Sequence, residues 1–199
     1  VDGDDYLAPD YMDYMLELVH KTGADFALST QWFRKKTDTQ TPRPSMQTVS
    51  SAQAVALLLS PNVVVGCWNK VYKRSLLTRH QCRFNTELFY GEGLNFIITV
   101  AQLAGKIAVG NRKVYYYRRN NAASATTRFN IHTLQSNTQS LDLIEQNLKV
   151  RTNDIDVMLT LHRSLFYLST AVRIQTAGKT RTYQTEYKKC MAYVRKHFF

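Results

Sequence analysis

The first thirty residues constrain the fold more than any other stretch of the chain. Pro9, suited to a first helical position, has Asp10 beside it, and Gly23 follows Lys21 and Thr22, which predicts a helix from about Pro9 to Thr22. Its apolar residues, among them Tyr11, Met15, Leu18 and Val19, fall on one face. Ala24 to Thr30 (ADFALST) then reads as a short strand. Turn, helix and strand in that order are an α/β pattern.

The remainder extends this pattern and then changes it. Residues 34 to 48, with Pro42 and Pro44 among Thr, Gln and Lys, make a polar loop before a short helix beginning near Ser50 or Ser51. Val63 to Arg74 (VVVGCWNKVYKR) is a β-rich run passing through Gly66. Gly91-Glu92-Gly93-Leu94 leads into an apolar helix ending at Gly105, with strands expected around Lys106 to Val109 and Val114 to Arg118 and Gly110-Asn111 as the turn between them. From about Ile131 helical periodicity takes over, giving candidates near 132 to 149, 154 to 176 and 181 to 197. No internal repeat is visible, and 199 residues suffice for one compact unit with its own core.

Cys67, Cys82 and Cys190 show no metal-ligand spacing and suit reduced thiols of a cytosolic protein. Neither a signal peptide nor an apolar run of membrane-spanning length is visible. The net charge of +11 is unevenly distributed: residues 1 to 31 hold seven acids and one base, whereas residues 32 to 131 hold fifteen bases and three acids. An acidic start facing a basic middle suits a substrate carrying phosphates, a nucleotide or an anionic membrane surface; nucleic acid would suit the basic part equally well.

The acidic start is Asp2-Gly3-Asp4-Asp5. Hard divalent cations such as Mg²⁺ and Mn²⁺ favour such carboxylates and often bridge them to substrate phosphates. The same residues also suit an acidic turn or a helix N-terminus, and the tetrapeptide alone leaves both open.

Four blocks, VDGDDYLAPDYMDYM, GCWNKVYKRSLL, GEGLNFIITVAQLAGKIAV and KVYYYRRNNAASATT, together resemble in order and spacing the second half of bacterial family 2 glycosyltransferases, over about residues 1 to 128. The resemblance implies an α/β fold: the C-terminal part of a GT-A (Rossmann-like) mixed sheet with flanking helices, followed by a C-terminal helical segment. Residues 1 to 130 would be the metal and acceptor side of that domain, and 131 to 199 a helical extension. The activity implied is sugar transfer from a nucleotide-diphosphate donor to a saccharide or lipid-linked acceptor, with inversion, in surface polysaccharide or glycan synthesis.

By the same resemblance, Asp2 and Asp4 match the family's Asp-x-Asp. Asp4 would bind Mn²⁺ or Mg²⁺ on the donor diphosphate, with Asp2 near the ribose or sugar and Asp5 supporting. The cation would neutralise charge on the departing diphosphate. Inverting transfer also needs a general base, commonly from a Glu-Asp pair. Here the pair reads Glu92-Gly93, so the aspartate is missing; Glu92 is the catalytic candidate, and capping the helix is its structural alternative. Trp68, Asn69 and Lys70 match a Trp-Asn-Lys step lining the region of donor sugar and acceptor, where Lys70 would offer charge to a phosphate or hydroxyl. The alternative is a buried Trp68 with Asn69 and Lys70 setting a turn.

Tyr115, Tyr116 and Tyr117 alternate across a strand and are expected as core or wall. Arg118, Arg119 and Ser124 resemble the end of the family pattern, a lid over the donor in which Arg118 would grip the diphosphate. The five histidines show no ligand or triad spacing and receive no chemistry. Basic residues of the C-terminal helices, such as Lys188, Lys189, Arg195 and Lys196, would contact a membrane surface at its inner face or remain a solvated face.

The family's nucleotide-base pocket lies upstream of the Asp-x-Asp, so residues 1 to 199 alone are expected to bind donor weakly and to transfer no sugar. Two other classes of function stay open: a basic module docking on membrane or nucleic acid, and a relative that keeps the fold without catalysis, as Gly93 suggests.

Overall fold

The computed structural model describes residues 1, 3–118 and 130–198. Asp2, Arg119 and Ser124 lie outside these described residues. The elements are β1 (Tyr6–Leu7), α1 (Tyr11–Thr22), β2 (Phe26–Ser29), β3 (Met46–Val49), α2 (Ser51–Leu59), β4 (Lys70–Tyr72), α3 (Arg74–Arg79), α4 (Glu92–Leu103), β5 (Ile107–Gly110), β6 (Tyr115–Tyr116), α5 (Ile131–Gln146), α6 (Asn153–Thr176) and α7 (Gln184–Phe198).

A four-stranded mixed sheet in the order β3-β5-β2-β4 forms the centre, with β2 and β5 parallel and the outer strands antiparallel to their neighbours. Every residue of β2 and β5 is buried, as expected of inner strands covered on both faces. Their alternation sorts the two layers. Phe26, Leu28, Ile107 and Val109 face α2 and α4, where they join Leu58, Leu59, Ile97 and Val100. Ala27 and Ala108 point the other way, and their small side chains let Tyr11, Tyr14, Met15 and Leu18 of α1 pack closely. This mixed sheet flanked by helices, with helices following it, is the α/β fold class expected from the chain.

Local chemistry explains the boundaries. Gly23 ends α1 in the left-handed conformation. Ser50 and Gln53 form a reciprocal capping box that starts α2. The expected turn at Gly110-Asn111 does not make a hairpin: β5 stays in the large sheet, while β6 pairs with β1 in a separate two-stranded ribbon. Of Val63 to Arg74, only Lys70–Tyr72 is strand, because the carbonyls of Val64 and Gly66 bond to a lysine side chain instead of a neighbouring strand.

The helices after residue 130 share the main core. Leu141 and Ile144 of α5 and Ile155 and Leu159 of α6 belong to the same buried cluster as the sheet face. Leu134, Tyr167, Ala171, Cys190 and Val194 form a smaller cluster joining α5, α6 and α7. Arg163, almost wholly buried, donates to Asp142 at 2.6 Å and Glu145 at 3.0 Å, clamping α6 to α5. Among the described residues no helix is long and apolar enough to cross a membrane.

Replacing Ile155 by Ala removes a fully buried side chain from the shared core and is expected to cost about 2–5 kcal/mol. Urea unfolding followed by circular dichroism and by tryptophan fluorescence measures this. Because the core is common, both probes shift together; a shift in only one would show that the helices unfold separately.

Candidate functional site

The site is built around the segment 63–70 that precedes β4. Lys70 is 6% exposed, and its Nζ donates to the carbonyls of Val64 (2.9 Å), Gly66 (2.7 Å) and Trp68 (3.4 Å). Burial lowers its pKa from 10.5 to about 8. Lys70 was expected to offer charge to a substrate phosphate or hydroxyl; instead its ammonium satisfies three backbone carbonyls and shapes the loop. Asn69, also buried, adopts positive φ (58°) and donates Nδ2 to the carbonyls of Ser29 and Gln31 at 2.9 Å each. Asn69 and Lys70 therefore set the turn, as in the structural alternative for this step, and Trp68 is half-buried against the α1 side of the core.

Trp68 joins an aromatic wall. Its ring stacks on Tyr115 (4.8 Å between centroids) and Tyr117 (4.9 Å), with Trp32 edge-on at 5.6 Å. Tyr115 donates its hydroxyl to Asp5 Oδ2 at 2.9 Å, and the Arg118 backbone N–H donates to Asp5 Oδ1 at 2.7 Å. Both Asp5 oxygens are thereby engaged, tying the acidic loop to the chain after β6. The expectation that Tyr115 to Tyr117 alternate as wall residues holds: Tyr116 points away from Trp68 and stacks on Tyr6 (4.4 Å) and Phe33 (4.3 Å).

Glu92 opens α4 and lies in its first turn. Gly91, at φ 85°, makes the sharp entry into the helix. A side chain at Gly91 would also meet Asn137 Oδ1 at 2.6 Å and Ser140 Cβ at 2.8 Å. Helix α5 grips this entry: Ser140 Oγ donates to the Gly91 carbonyl at 2.7 Å, and Ser136 bonds both to the N–H (2.8 Å) and to the carbonyl (2.9 Å) of Tyr90. Gly93 has room for the aspartate that the family pattern carries, since an added Cβ would only touch Cys67 Sγ at 3.5 Å and Val65 O at 3.8 Å.

Glu92 borders an open cavity of about 570 Å³, which Trp32, Val64, Gly66, His162 and Phe166 also line. The Trp32 Nε1–H is buried with no acceptor among the described residues. His162, to which the sequence assigned no chemistry, lies 2.9 Å through Nδ1 from the Leu59 carbonyl. A carbonyl only accepts, so Nδ1 carries the proton, and burial lowers the pKa of the ring. Ser136, Asn137, Ser140, His162 and Phe166 were missed because they lie 44 or more residues beyond Glu92, on helices whose only sequence signal is amphipathicity.

The loops carrying Trp68 and Glu92 meet at one contact: the Cys67 Sγ lies 3.5 Å from the Gly93 carbonyl. Asp4 lies one residue from Asp5 and so near the same aromatic wall. Arg118 is exposed and borders a different, basic cleft with Tyr6 and Arg34. No cluster of three or more His, Cys, Asp or Glu suited to a metal occurs among the described residues.

Comparisons with known protein families and with curated proteins return no match. Among solved structures, S. aureus TarS 1-349 in complex with UDP-GlcNAc superposes with a TM-score of 0.66 and 17% identity over 96% of this chain and 54% of that one. S. aureus TarS 1-349 in complex with UDP gives 0.55 and 20% identity over 81% and 44%. The chain spans about half the length of the first of these, 54% of it. At such identities the likeness establishes the fold alone, an α/β fold shared with these structures.

A pH series tests the role of Lys70. With the folded pKa depressed to about 8 against an ordinary 10.5, the folded state loses this proton first, so the unfolded state binds more protons between those values. The stability of wild type relative to Lys70→Met is therefore expected to rise as pH climbs through that window. A flat difference between the urea midpoints at both ends would refute the shift.

Proposed function

We propose that the protein acts in sugar transfer from a nucleotide-diphosphate sugar, with inversion, to a saccharide or lipid-linked acceptor. What carries this reading is one run of contacts. It passes from Asp5 through Tyr115 and Trp68 to the Cys67–Gly93 contact, setting the acidic loop and Glu92 around a single aromatic wall. The likeness of fold to TarS, solved with UDP-GlcNAc and with UDP, supports a nucleotide sugar as donor.

By the resemblance of the acidic loop, Asp4 together with Asp2 would hold Mn²⁺ or Mg²⁺, with Asp5 supporting the loop through its bonds to Tyr115 and the Arg118 N–H. Few protein carboxylates suffice where substrate phosphates and water complete the shell. The bound cation would stabilise charge on the leaving diphosphate. Glu92, in the first turn of α4, would accept the proton of the acceptor hydroxyl. The cavity around Glu92 receives the acceptor, with the Trp32 N–H as donor to a hydroxyl.

Calorimetric titration of UDP with Mn²⁺ tests the donor half: binding is expected to weaken at least about tenfold in Asp4→Asn and in chelator. UDP affinity indifferent to both would sink the reading. For the transfer half, Glu92→Gln in protein active with UDP-sugar is expected to lower kcat about 10²- to 10⁴-fold with donor KM unchanged. Near-normal turnover would instead make Glu92 a helix cap.

A further inference from the structure

The basic cleft bordered by Arg118 is lined by Tyr6 and Tyr116 of the β1–β6 ribbon and meets the site above at Tyr117, which lines the cleft and stacks on Trp68. Successive side chains of a strand point to opposite faces. Tyr115 and Tyr117 turn to Trp68, whereas Tyr116 is sandwiched between Tyr6 and Phe33, which lie within 14° of parallel to it. This three-ring stack walls a cleft of about 460 Å³ whose other lining includes Arg34, Lys35, Lys36 and Arg118. No acidic side chain lines it among the described residues.

The cations are held in place by backbone contacts. Phe33 bridges to the ribbon, its N–H donating to the Tyr115 carbonyl at 2.8 Å and its carbonyl accepting from the Tyr117 N–H at 3.1 Å. Asp38 accepts the backbone N–H groups of Arg34 (2.7 Å) and Lys35 (3.3 Å), folding the Arg34-Lys35-Lys36 turn through its main chain. The Arg34 guanidinium lies 5.3 Å from the Trp32 ring centroid. A turn pinned through its backbone, carrying three consecutive cations beside Arg118, concentrates positive potential over an aromatic wall.

We propose that this cleft binds an anionic saccharide chain. Aromatic faces pack against the apolar faces of sugar rings, and the guanidinium and ammonium groups neutralise the anionic substituents. The proposal rests on the sugar-transfer reading in naming the chain as an extended acceptor. The cleft would hold a part of that acceptor beyond the cavity that Glu92 borders, next to the Trp68 wall at Tyr117.

Titration calorimetry with dextran sulfate, neutral dextran of equal length and oligo(dT) of matched charge tests this without donor or turnover. Arg34, Lys35 and Lys36 are exposed, so Arg34→Ala/Lys35→Ala/Lys36→Ala is expected to fold normally and to bind dextran sulfate at least about tenfold more weakly. The control Lys188→Ala/Lys189→Ala/Lys196→Ala removes equal charge from exposed positions of α7 and is expected to change binding by less than about twofold. Tyr6→Leu, which keeps an apolar residue in β1 but removes the outer ring, is expected to weaken dextran sulfate binding by about threefold. Neutral dextran is expected not to bind. Equal losses in the two triple variants, displacement of dextran sulfate by UDP, tighter binding of oligo(dT), or an unchanged Tyr6→Leu would each overturn the proposal. UDP binding with Mn²⁺ stays intact in the cleft triple variant, so failure here and failure of the donor assignment are read separately.

Discussion

The buried ammonium of Lys70 is the interaction on which the site depends. The segment from Val63 to Asn69 has strand-forming side chains but no strand to pair with, so its carbonyls need other donors. One lysine supplies three of them. The resulting loop turns Trp68 onto Tyr115 and Tyr117 and sets Cys67 against the start of α4. A neutral side chain of the same length would leave those carbonyls unpaired, at about 1–3 kcal/mol each. The apparent cost of burying a charge is offset by a backbone conformation that no hydrophobic residue could hold.

A second constraint comes from the helices after residue 130. They pack on the outer side of α2 and α4, and hydroxyls of α5 take the backbone of Tyr90 and Gly91 immediately before Glu92. Helix α6 adds His162 and Phe166 to the wall of the same cavity. The position of Glu92 is thus shared between its own helix and a segment remote in sequence. The helical part and the α/β part thus share one buried core next to the site.

Legibility of the sequence varied with the range of the interactions that decided each element. Helix α1 with its Gly23 end, α2 with its Ser50 cap, α4 behind Gly91 and the three late helices lie within a few residues of their expected bounds, since caps and periodicity act locally. The short strands β1 and β3 escaped notice because their pairing partners, β6 and β5, lie far along the chain and their own residues are half-buried or exposed. Val63 to Val65 looked like strand by composition, but a side-chain cation outcompeted sheet pairing for its carbonyls. Of the residues that the motifs singled out, Trp68 and Glu92 lie on loops that meet at the Cys67–Gly93 contact, whereas Lys70 and Asn69 bond to backbone carbonyls.

The sequence by itself determined the helices with local caps and periodicity, the α/β class, the acidic loop beside a basic middle, and the absence of the aspartate after Glu92, because each is a property of residue identity and local spacing. The tertiary structure alone decided that Asp5 accepts from Tyr115, that helices beyond residue 130 hold the backbone before Glu92, and that alternate tyrosines of one short strand serve two different faces. Those outcomes rest on contacts between residues 26 to 110 positions apart, where packing and hydrogen-bond satisfaction, rather than local preference, choose the partner.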